Sequence, residues 1–185
     1  MINNNLELKD QASNYPSLQL SDRHLCDLEL IMNGGFRPLE GFMSKSNYDS
    51  VVSDMRLSDG SLWSMPITLD VNDKFVSEIS DNPKITLRNK EGFILAILKI
   101  DDIWQPSLEF EAQSVFGTLD TKHPGVHHLL NTSNKNYIGG NIEKISSPHH
   151  HDYQDLRHTP DELKLIIKNK NWDKIIAFQT RNPIH

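Results

Sequence analysis

A run of polar side chains near the carboxyl end of the chain has the residue types needed to bind anions. The run is Gln179-Thr180-Arg181-Asn182-Pro183-Ile184-His185. Arg181 carries a permanent cation whose planar guanidinium matches the oxygens of sulfate or phosphate, and Gln179 adds an amide donor. On an extended segment these two residues share one face, so both can hold one anion. Asn182 and His185 are then left for a second group, such as a nucleotide phosphate. Alternatively, the side chains are simply solvated, as Arg and Gln commonly are.

The four residues before this run predict the strand that positions it. Ile175-Ile176-Ala177-Phe178 is apolar and includes two β-branched residues, a pattern typical of a parallel strand buried on both faces. In open α/β sheets, ligands bind beyond the carboxyl ends of such strands, where a following helix directs free N–H groups at an anion. Asn182 is suited to cap that helix, with Pro183 at its first position.

A helix is predicted to deliver the chain to this strand. The run Thr159-Pro160-Asp161-Glu162 combines an N-cap, a proline at the first helical position and a capping-box glutamate. Leu163, Ile166 and Ile167 form one apolar stripe, and the helix is expected to end at 169–171. This order of helix and strand indicates the start of an α/β domain.

The rest of the chain predicts two helices followed by short strands. Ser21 is expected to cap a helix that ends at Asn33-Gly34-Gly35, because glycine readily adopts the left-handed conformation of helix ends. Ser44 begins a second short helix. Turn signals bound the β-rich runs, which predict a small barrel or mixed sheet and cover residues 65–71, 75–79, 84–87 and 93–100. The stretch 106–140, rich in glycine and proline, is expected to form irregular loops between short strands.

Composition and charge are typical of a globular protein and disfavour several functions. The 185 residues are 37% hydrophobic and 24% charged, which suits one domain and part of another. Since 19 basic and 25 acidic residues give a net charge of −6, no basic excess supports nucleic-acid binding. The sequence shows no secretory signal and no apolar stretch of membrane-spanning length, which makes the cytoplasm the expected location. The single cysteine, Cys26, cannot form an internal disulfide and is expected to be buried.

The nine histidines do not form a metal motif. The runs His149-His150-His151 and His127-His128 consist of adjacent residues, which point in different directions on either a strand or a helix. Solvated or hydrogen-bonded histidines are therefore preferred over a structural metal site. The sequence also lacks a Gly-x-Ser-x-Gly elbow and a Walker-type loop, so nucleotide binding requires another cradle for the phosphates.

The polar run at 179–185 closely resembles the signature Gln-Thr-Arg-Asn-Pro-x-His of the ATP sulfurylases, the sulfate adenylyltransferases. Similarity to that family extends along nearly the whole chain. The matching segments are Asp27-Leu28-Glu29, Gly34-Gly35-Phe36, Pro38-Leu39, Gly41-Phe42-Met43, Glu111-Ala112, Phe116-Gly117-Thr118, His123-Pro124-Gly125-Val126, Gly139-Gly140, Asp152-Tyr153, Leu156-Arg157, Thr159-Pro160 and Glu162-Leu163.

The resemblance implies an α+β fold and a reaction. It implies a β-rich PUA-like barrel domain with flanking helices at 1–152. At 153–185 it implies the first helix and strand of a truncated Rossmann-like α/β nucleotidyltransferase domain. Sulfate would attack the α-phosphorus of ATP, which is bound with Mg²⁺ as the substrate complex, to give adenosine 5′-phosphosulfate and pyrophosphate. The resemblance predicts neither a tightly bound cofactor nor a metal held by the protein.

The resemblance also assigns roles within the polar run. Gln179 and Arg181 would bind sulfate. Thr180, Arg181 and Asn182 would be the catalytic positions. ATP would be bound by Gln179, Thr180, Arg181, Asn182 and His185. His185 would be the first histidine of a His-x-x-His pair that contacts the ATP phosphates. Joining two anions requires cationic and N–H donors more than a nucleophile, which agrees with these residue types.

The second histidine and the later glycine-rich stretch of the family pattern do not occur in the sequence. We therefore expect this chain to be an amino-terminal fragment, inactive by itself, of an enzyme that forms a homo-oligomer. The alternative is a stand-alone PUA-like module for binding or oligomerisation. PUA-like folds elsewhere recognise RNA, but the acidic charge balance disfavours this, and neither a nucleic-acid nor a membrane partner is expected.

Overall fold

A mixed β-sheet with helices packed around it makes up most of the computed structural model, which describes residues 2–79 and 82–179. The α+β character predicted from the sequence is confirmed. The elements in chain order are α1 (Ile2–Ser13), β1 (Ser17–Gln19), α2 (Asp22–Asn33), β2 (Gly41–Phe42), α3 (Lys45–Asp54), β3 (Leu69–Val71), α4 (Asp73–Ile79), β4 (Lys84–Arg88), β5 (Ile94–Trp104), α5 (Leu108–Phe116), α6 (Pro124–Asn131), β6 (Asn136–Lys144), a 3-10 turn (Gln154–Leu156) and α7 (Pro160–Asn169).

The strands form one sheet in the order β1-β4-β5-β6-β2, and β3 also pairs with β6. β1 runs parallel to β4, whereas the other pairs are antiparallel. The long β5–β6 pair forms the centre, with Lys99 opposite Asn141 and Trp104 opposite Tyr137. The main hydrophobic core lies between the sheet and helices α2 and α3, and its fully buried members include Leu28, Leu69, Ile85, Leu98 and Ile138.

The caps of α2 and α3 confirm two predictions from the sequence. The Ser21 hydroxyl accepts a hydrogen bond from the backbone N–H of His24, and Ser44 accepts one from Asn47 in the same way. Gly34 ends α2 in the left-handed conformation with φ of 83°, which satisfies the helix end without a steric penalty. Cys26 on α2 is exposed, so the prediction that it is buried is wrong.

Two predictions about the middle of the chain are wrong, because short helices were read as strands or loops. Residues 73–79 form α4 rather than a strand, and the Asn72 side chain accepts from the Phe75 N–H at its start. Phe75 and Ile79 are both buried at a spacing of four, which is helical periodicity. The stretch 106–140 contains α5, α6 and most of β6 instead of irregular loops.

Close backbone contacts explain the glycines in β6. A Cβ atom at Gly139 would lie 2.2 Å from the Met43 carbonyl oxygen, and one at Gly140 would lie 1.8 Å from the Lys99 carbonyl oxygen. A Cβ at Gly41 would lie 1.9 Å from the Gly140 carbonyl oxygen. Because these glycines have no side chain, the backbones of β2, β5 and β6 can lie very close together at this point of the sheet. The glycines of β6 do not mark a turn.

The predicted domains at 1–152 and 153–185 are called the first and second unit below. The helix predicted at the start of the second unit is present, whereas the strand predicted after it is not. α7 begins with the capping box between Thr159 and Glu162 and ends at Asn169. Residues 174–179 have no regular secondary structure, and the side chains of Ile176 and Phe178 are 96% and 76% exposed. A strand forms only against the backbone of another strand, and the described residues place none beside this segment. The apolar stripe of α7 is likewise uncovered, since no residue of this helix is buried.

Candidate functional site

Of the predicted anion-binding run, the structure describes Gln179 alone. Its side chain is exposed and follows the irregular segment 174–178. Thr180, Arg181, Asn182 and His185 lie outside the described residues, so their mutual arrangement stays a prediction.

The start of α7 concentrates negative charge. The backbone N–H of Thr159 donates to the Glu162 carboxylate at 2.7 Å, and the Thr159 hydroxyl donates to the same carboxylate oxygen at 2.9 Å. These hydrogen bonds lower the pKa of Glu162. Asp161 lies in the same first turn, where the helix dipole favours an anion.

Arg37 connects this helix end to the loop that follows α2. Its guanidinium donates two parallel hydrogen bonds to the Asp161 carboxylate, at 2.8 Å and 2.7 Å. The pair lowers the pKa of Asp161, first through the hydrogen bonds and then through the charge of Arg37. Both side chains are more than half exposed, so solvent screens the pair.

A second polar contact holds the segment before α7. His150 Nε2 lies 2.7 Å from the carboxylate of Glu29 on α2, and both side chains are about one third exposed. Between the loop after α2 and the start of α7 lies an open groove of about 720 Å³, whose lining includes Arg37, Glu40 and Asp161. Among the described residues, these elements come nearest to an interface between the two units.

A buried carboxylate ties three elements of the first unit together. The Asp70 carboxylate on β3 accepts from Arg23 at 2.7 Å and from the backbone and side chain of Asn134 at 2.8 Å and 2.9 Å. His24 Nε2 lies 2.9 Å away and donates as well, because an ionised carboxylate can only accept. Burial by itself would raise the pKa of Asp70, but these donors outweigh it and hold that pKa well below its usual range.

A second buried carboxylate, Glu111 on α5, joins two tyrosines. The hydroxyls of Tyr48 and Tyr137 donate to the same carboxylate oxygen at 2.9 Å and 3.0 Å. Burial raises the pKa of Glu111, while the two hydrogen bonds oppose that rise. Burial also raises the pKa of both tyrosines, and the adjacent carboxylate adds to this effect. Both carboxylates have internal partners, which favours a structural role.

The sequence interpretation missed both networks, although each left a signal. Asp70 interrupts the apolar run Leu69–Val71, and a charged residue within a buried strand requires partners. Glu111 stands four positions after Ser107, whose hydroxyl accepts from the Phe110 N–H at the start of a helix where the sequence predicts loops. His24 gave no signal of its own.

The described residues hold no group of three or more His, Cys, Asp or Glu side chains arranged to bind a metal ion. His149 and His151 instead stack edge to face, with ring centroids 4.3 Å apart. In the same described ranges, no helix has both the length and the apolar composition needed to cross a bilayer.

Two protein-family models match the chain. The model described as a PUA-like domain matches residues 2–147, and the ATP-sulfurylase model matches residues 154–185.

Curated proteins named sulfate adenylyltransferase are similar along almost the entire chain. The protein from Gibberella zeae is 48% identical over 182 residues, which cover 97% of this chain and 32% of that protein. The protein from Saccharomyces cerevisiae is 44% identical and covers 98% of this chain and 35% of its own length. This chain therefore spans about a third of the length of the curated relatives it matches.

A solved structure, described as the hexameric APS kinase from Thiobacillus denitrificans, has a similar fold. It matches 99% of this chain and 32% of its own, with a TM-score of 0.74 and 32% identity. These similarities run through both units and do not favour the alternative of a stand-alone PUA-like module.

Proposed function

The chain belongs to the PUA-like domain family over residues 2–147, and we propose that it is part of a sulfate adenylyltransferase. The observation that supports this most strongly is the 48% identity to proteins of that name over 97% of the chain. The matches of the two family models end at residue 147 and begin at residue 154, which supports domains at 1–152 and 153–185.

In the proposed reaction, a sulfate oxygen attacks the α-phosphorus of ATP, which enters with Mg²⁺ as the substrate complex. A bond forms between that oxygen and the α-phosphorus. The bond from the α-phosphorus to the oxygen that bridges the β-phosphorus breaks, and pyrophosphate leaves with the electron pair. The chemistry needs positioned cations and N–H donors rather than a protein nucleophile or a tightly bound cofactor.

The polar run supplies such groups. Gln179 and Arg181 hold sulfate, and Arg181 with Thr180 and Asn182 surrounds the reacting atoms. His185 meets the phosphates of ATP. Arg181 is the principal group, because its fixed charge offsets the repulsion between two anions that must approach each other.

We also propose that the intact protein is a cytoplasmic homo-oligomer that binds neither nucleic acid nor membranes. The net charge of −6 supports the exclusion of nucleic acid. The similar Thiobacillus denitrificans protein is described as hexameric, which supports oligomerisation.

A chimeric enzyme tests the proposal. This chain replaces the matching residues of the Saccharomyces cerevisiae sulfate adenylyltransferase, and sulfate-dependent release of pyrophosphate from ATP is measured. We expect turnover from the chimera and none from this chain by itself, because the chain spans only about a third of its relatives. A folded chimera without turnover would contradict the proposal, whereas robust turnover from the chain alone would contradict only the expectation that the chain is inactive by itself.

A further inference from the structure

The second unit is attached to the PUA-like domain by polar contacts. No residue of α7 is buried. Among the described residues, two hydrogen-bonded side-chain pairs link residues 149–179 to α2 or to the loop directly after it: Arg37 with Asp161 of α7, and Glu29 with His150 in the segment before α7.

The Arg37–Asp161 pair has the geometry of a specific contact. Two parallel hydrogen bonds between a guanidinium and a carboxylate fix orientation as well as distance, which a lysine cannot do. Each charge also lies at the helix end that favours it. Asp161 is in the first turn of α7, and the Arg37 guanidinium lies against Gly34 at the carboxyl end of α2.

Gly34 leaves the space that this arrangement needs. A Cβ atom at this position would lie 2.9 Å from Arg37 Nε and 3.0 Å from Cζ. The bare α-carbon therefore provides the surface on which the guanidinium rests.

We propose that Arg37 and Asp161 form a latch that sets the orientation of α7 relative to the PUA-like domain. The contact between His150 and Glu29 is the pivot, because it holds the chain eleven residues before the latch. When the latch opens, α7 turns about this pivot and the groove beside Arg37 widens. The latch is inferred from the contacts of Arg37 and Asp161 and is independent of the proposed function.

A distance measurement in the full 185-residue chain tests the latch. Cys26 is the single cysteine and is exposed on α2, so it takes one spin label, and Lys168→Cys on the exposed side of α7 takes the other. Double electron–electron resonance then reports the distribution of distances between the two spin labels, one on α2 and one on α7. The unaltered pair is expected to give one narrow distribution.

Removing the two parallel hydrogen bonds between Arg37 and Asp161 should broaden that distribution about twofold, since α7 then samples several orientations. The variants are Arg37→Ala and Asp161→Asn. Arg37→Lys should give an intermediate width, because it keeps the charge and loses the second parallel hydrogen bond. Lys164→Ala is the matched control, since Lys164 Nζ lies 3.8 Å from the Asp161 carboxylate but takes no part in the hydrogen bonds between Arg37 and Asp161. The reversed pair Arg37→Asp with Asp161→Arg should narrow the distribution only in part, because it restores the ion pair but places each charge at the helix end that disfavours it.

Salt provides a readout that needs no substitution. Raising the salt from 0.1 M to 1 M shortens the Debye length from about 10 Å to about 3 Å, so the unaltered chain should approach the width of Arg37→Ala. Equal widths for Arg37→Ala, Lys164→Ala and the unaltered chain, with circular dichroism showing all three folded, would overturn the latch. These distances require no turnover, so failure of the latch is distinct from failure of the proposed function.

Discussion

Asp70 illustrates how a single charged side chain can stabilise a buried strand. Its carboxylate is 7% exposed and accepts from Arg23, His24 and both nitrogens of Asn134. The donors come from α2 and from the turn before β6, so the carboxylate joins distant parts of the chain. The apolar neighbours in the sequence predicted that this segment is buried, but the partners are far away in sequence and could not be predicted.

Asp70→Asn is expected to lower the free energy of unfolding by about 3 kcal/mol. The asparagine NH₂ would face groups that are themselves donors, Arg23 would lose its counter-charge, and the buried His24 would lose an ionised hydrogen-bond acceptor. Chemical denaturation of the variant and the unaltered chain measures the difference. Asp10→Asn, on the exposed face of α1, is the control and should change stability by less than about 0.5 kcal/mol.

The effect of Asp70 should also depend on pH in a defined direction. Its pKa is lower in the folded chain than in the unfolded chain. Its contribution is therefore fully present above the unfolded pKa and is lost as the pH falls through the folded pKa. If the difference in the free energy of unfolding between Asp70→Asn and the unaltered chain stays constant down to pH 2, the lowered pKa of Asp70 is contradicted.

Glu111 predicts the opposite dependence. Burial raises its pKa in the folded chain, so its contribution to stability is present below the unfolded pKa and is lost as the pH rises through the folded pKa. Glu111→Gln keeps an oxygen for the hydroxyls of Tyr48 and Tyr137 but cannot ionise. Urea unfolding at each pH gives the free energy of unfolding of the variant minus that of the unaltered chain. This difference should be more positive at pH 7 than at pH 4. Identical differences at the two pH values would contradict the claim that burial raises the pKa of Glu111.

The paired glycines of β6 show why an element can be misread from its composition. Gly139-Gly140 resembles a loop signal, yet both residues lie within a strand that two other backbones approach closely. Only the three-dimensional arrangement reveals that these glycines are required by space rather than by a turn.

Gly140→Ala is expected to destabilise the fold by about 3 kcal/mol or more, because the new methyl group would overlap the Lys99 carbonyl oxygen. Thermal or chemical unfolding measures the loss. Gly60→Ala is the matched control: its φ is also positive, at 89°, but no atom lies within 4 Å of the added Cβ. It should cost only the strain of the left-handed conformation, about 1 kcal/mol. Equal losses for the two variants would contradict the close approach.

The cap of α7 was predicted correctly because its signal is local. Thr159, Pro160 and Glu162 lie within four positions, and the structure contains both hydrogen bonds of the capping box. The short helices α4, α5 and α6 were missed because they are bounded by the same residues that mark loops. Their start signals were present in the sequence all the same: Ser107 is the N-cap of α5, and Pro124 is the first residue of α6.

Thr159→Ala should lower the stability of α7 by about 1 kcal/mol, since the helix loses its N-cap and has no buried residue to compensate. Hydrogen exchange of the α7 amides should accelerate, while exchange in β5 and β6 should stay unchanged. Thr159→Ser keeps the hydroxyl and is the control. Uniform acceleration across the chain would mean that α7 unfolds together with the sheet rather than separately.

The two units of the molecule differ in how far their structure follows from this sequence. The first unit buries its core with its own helices and strands, so its local patterns agree with its fold. In the second unit, the pattern of 175–178 is typical of a buried strand, but Ile176 and Phe178 are exposed. Burial is a property of neighbouring strands and not of four residues. The prediction therefore failed where it depended on contacts that the described residues do not make.

The most direct test of the whole account is the effect of Arg181→Ala on the chimeric enzyme. Sulfate-dependent pyrophosphate release is compared among the chimera, this variant and Arg56→Ala, which removes an arginine on the surface of the PUA-like domain. If Arg181 holds sulfate against ATP, its loss should lower kcat/KM for sulfate by about 100-fold or more. Arg56→Ala should leave the rate unchanged. Full activity of Arg181→Ala would contradict the claim that the run 179–185 binds the reacting anions.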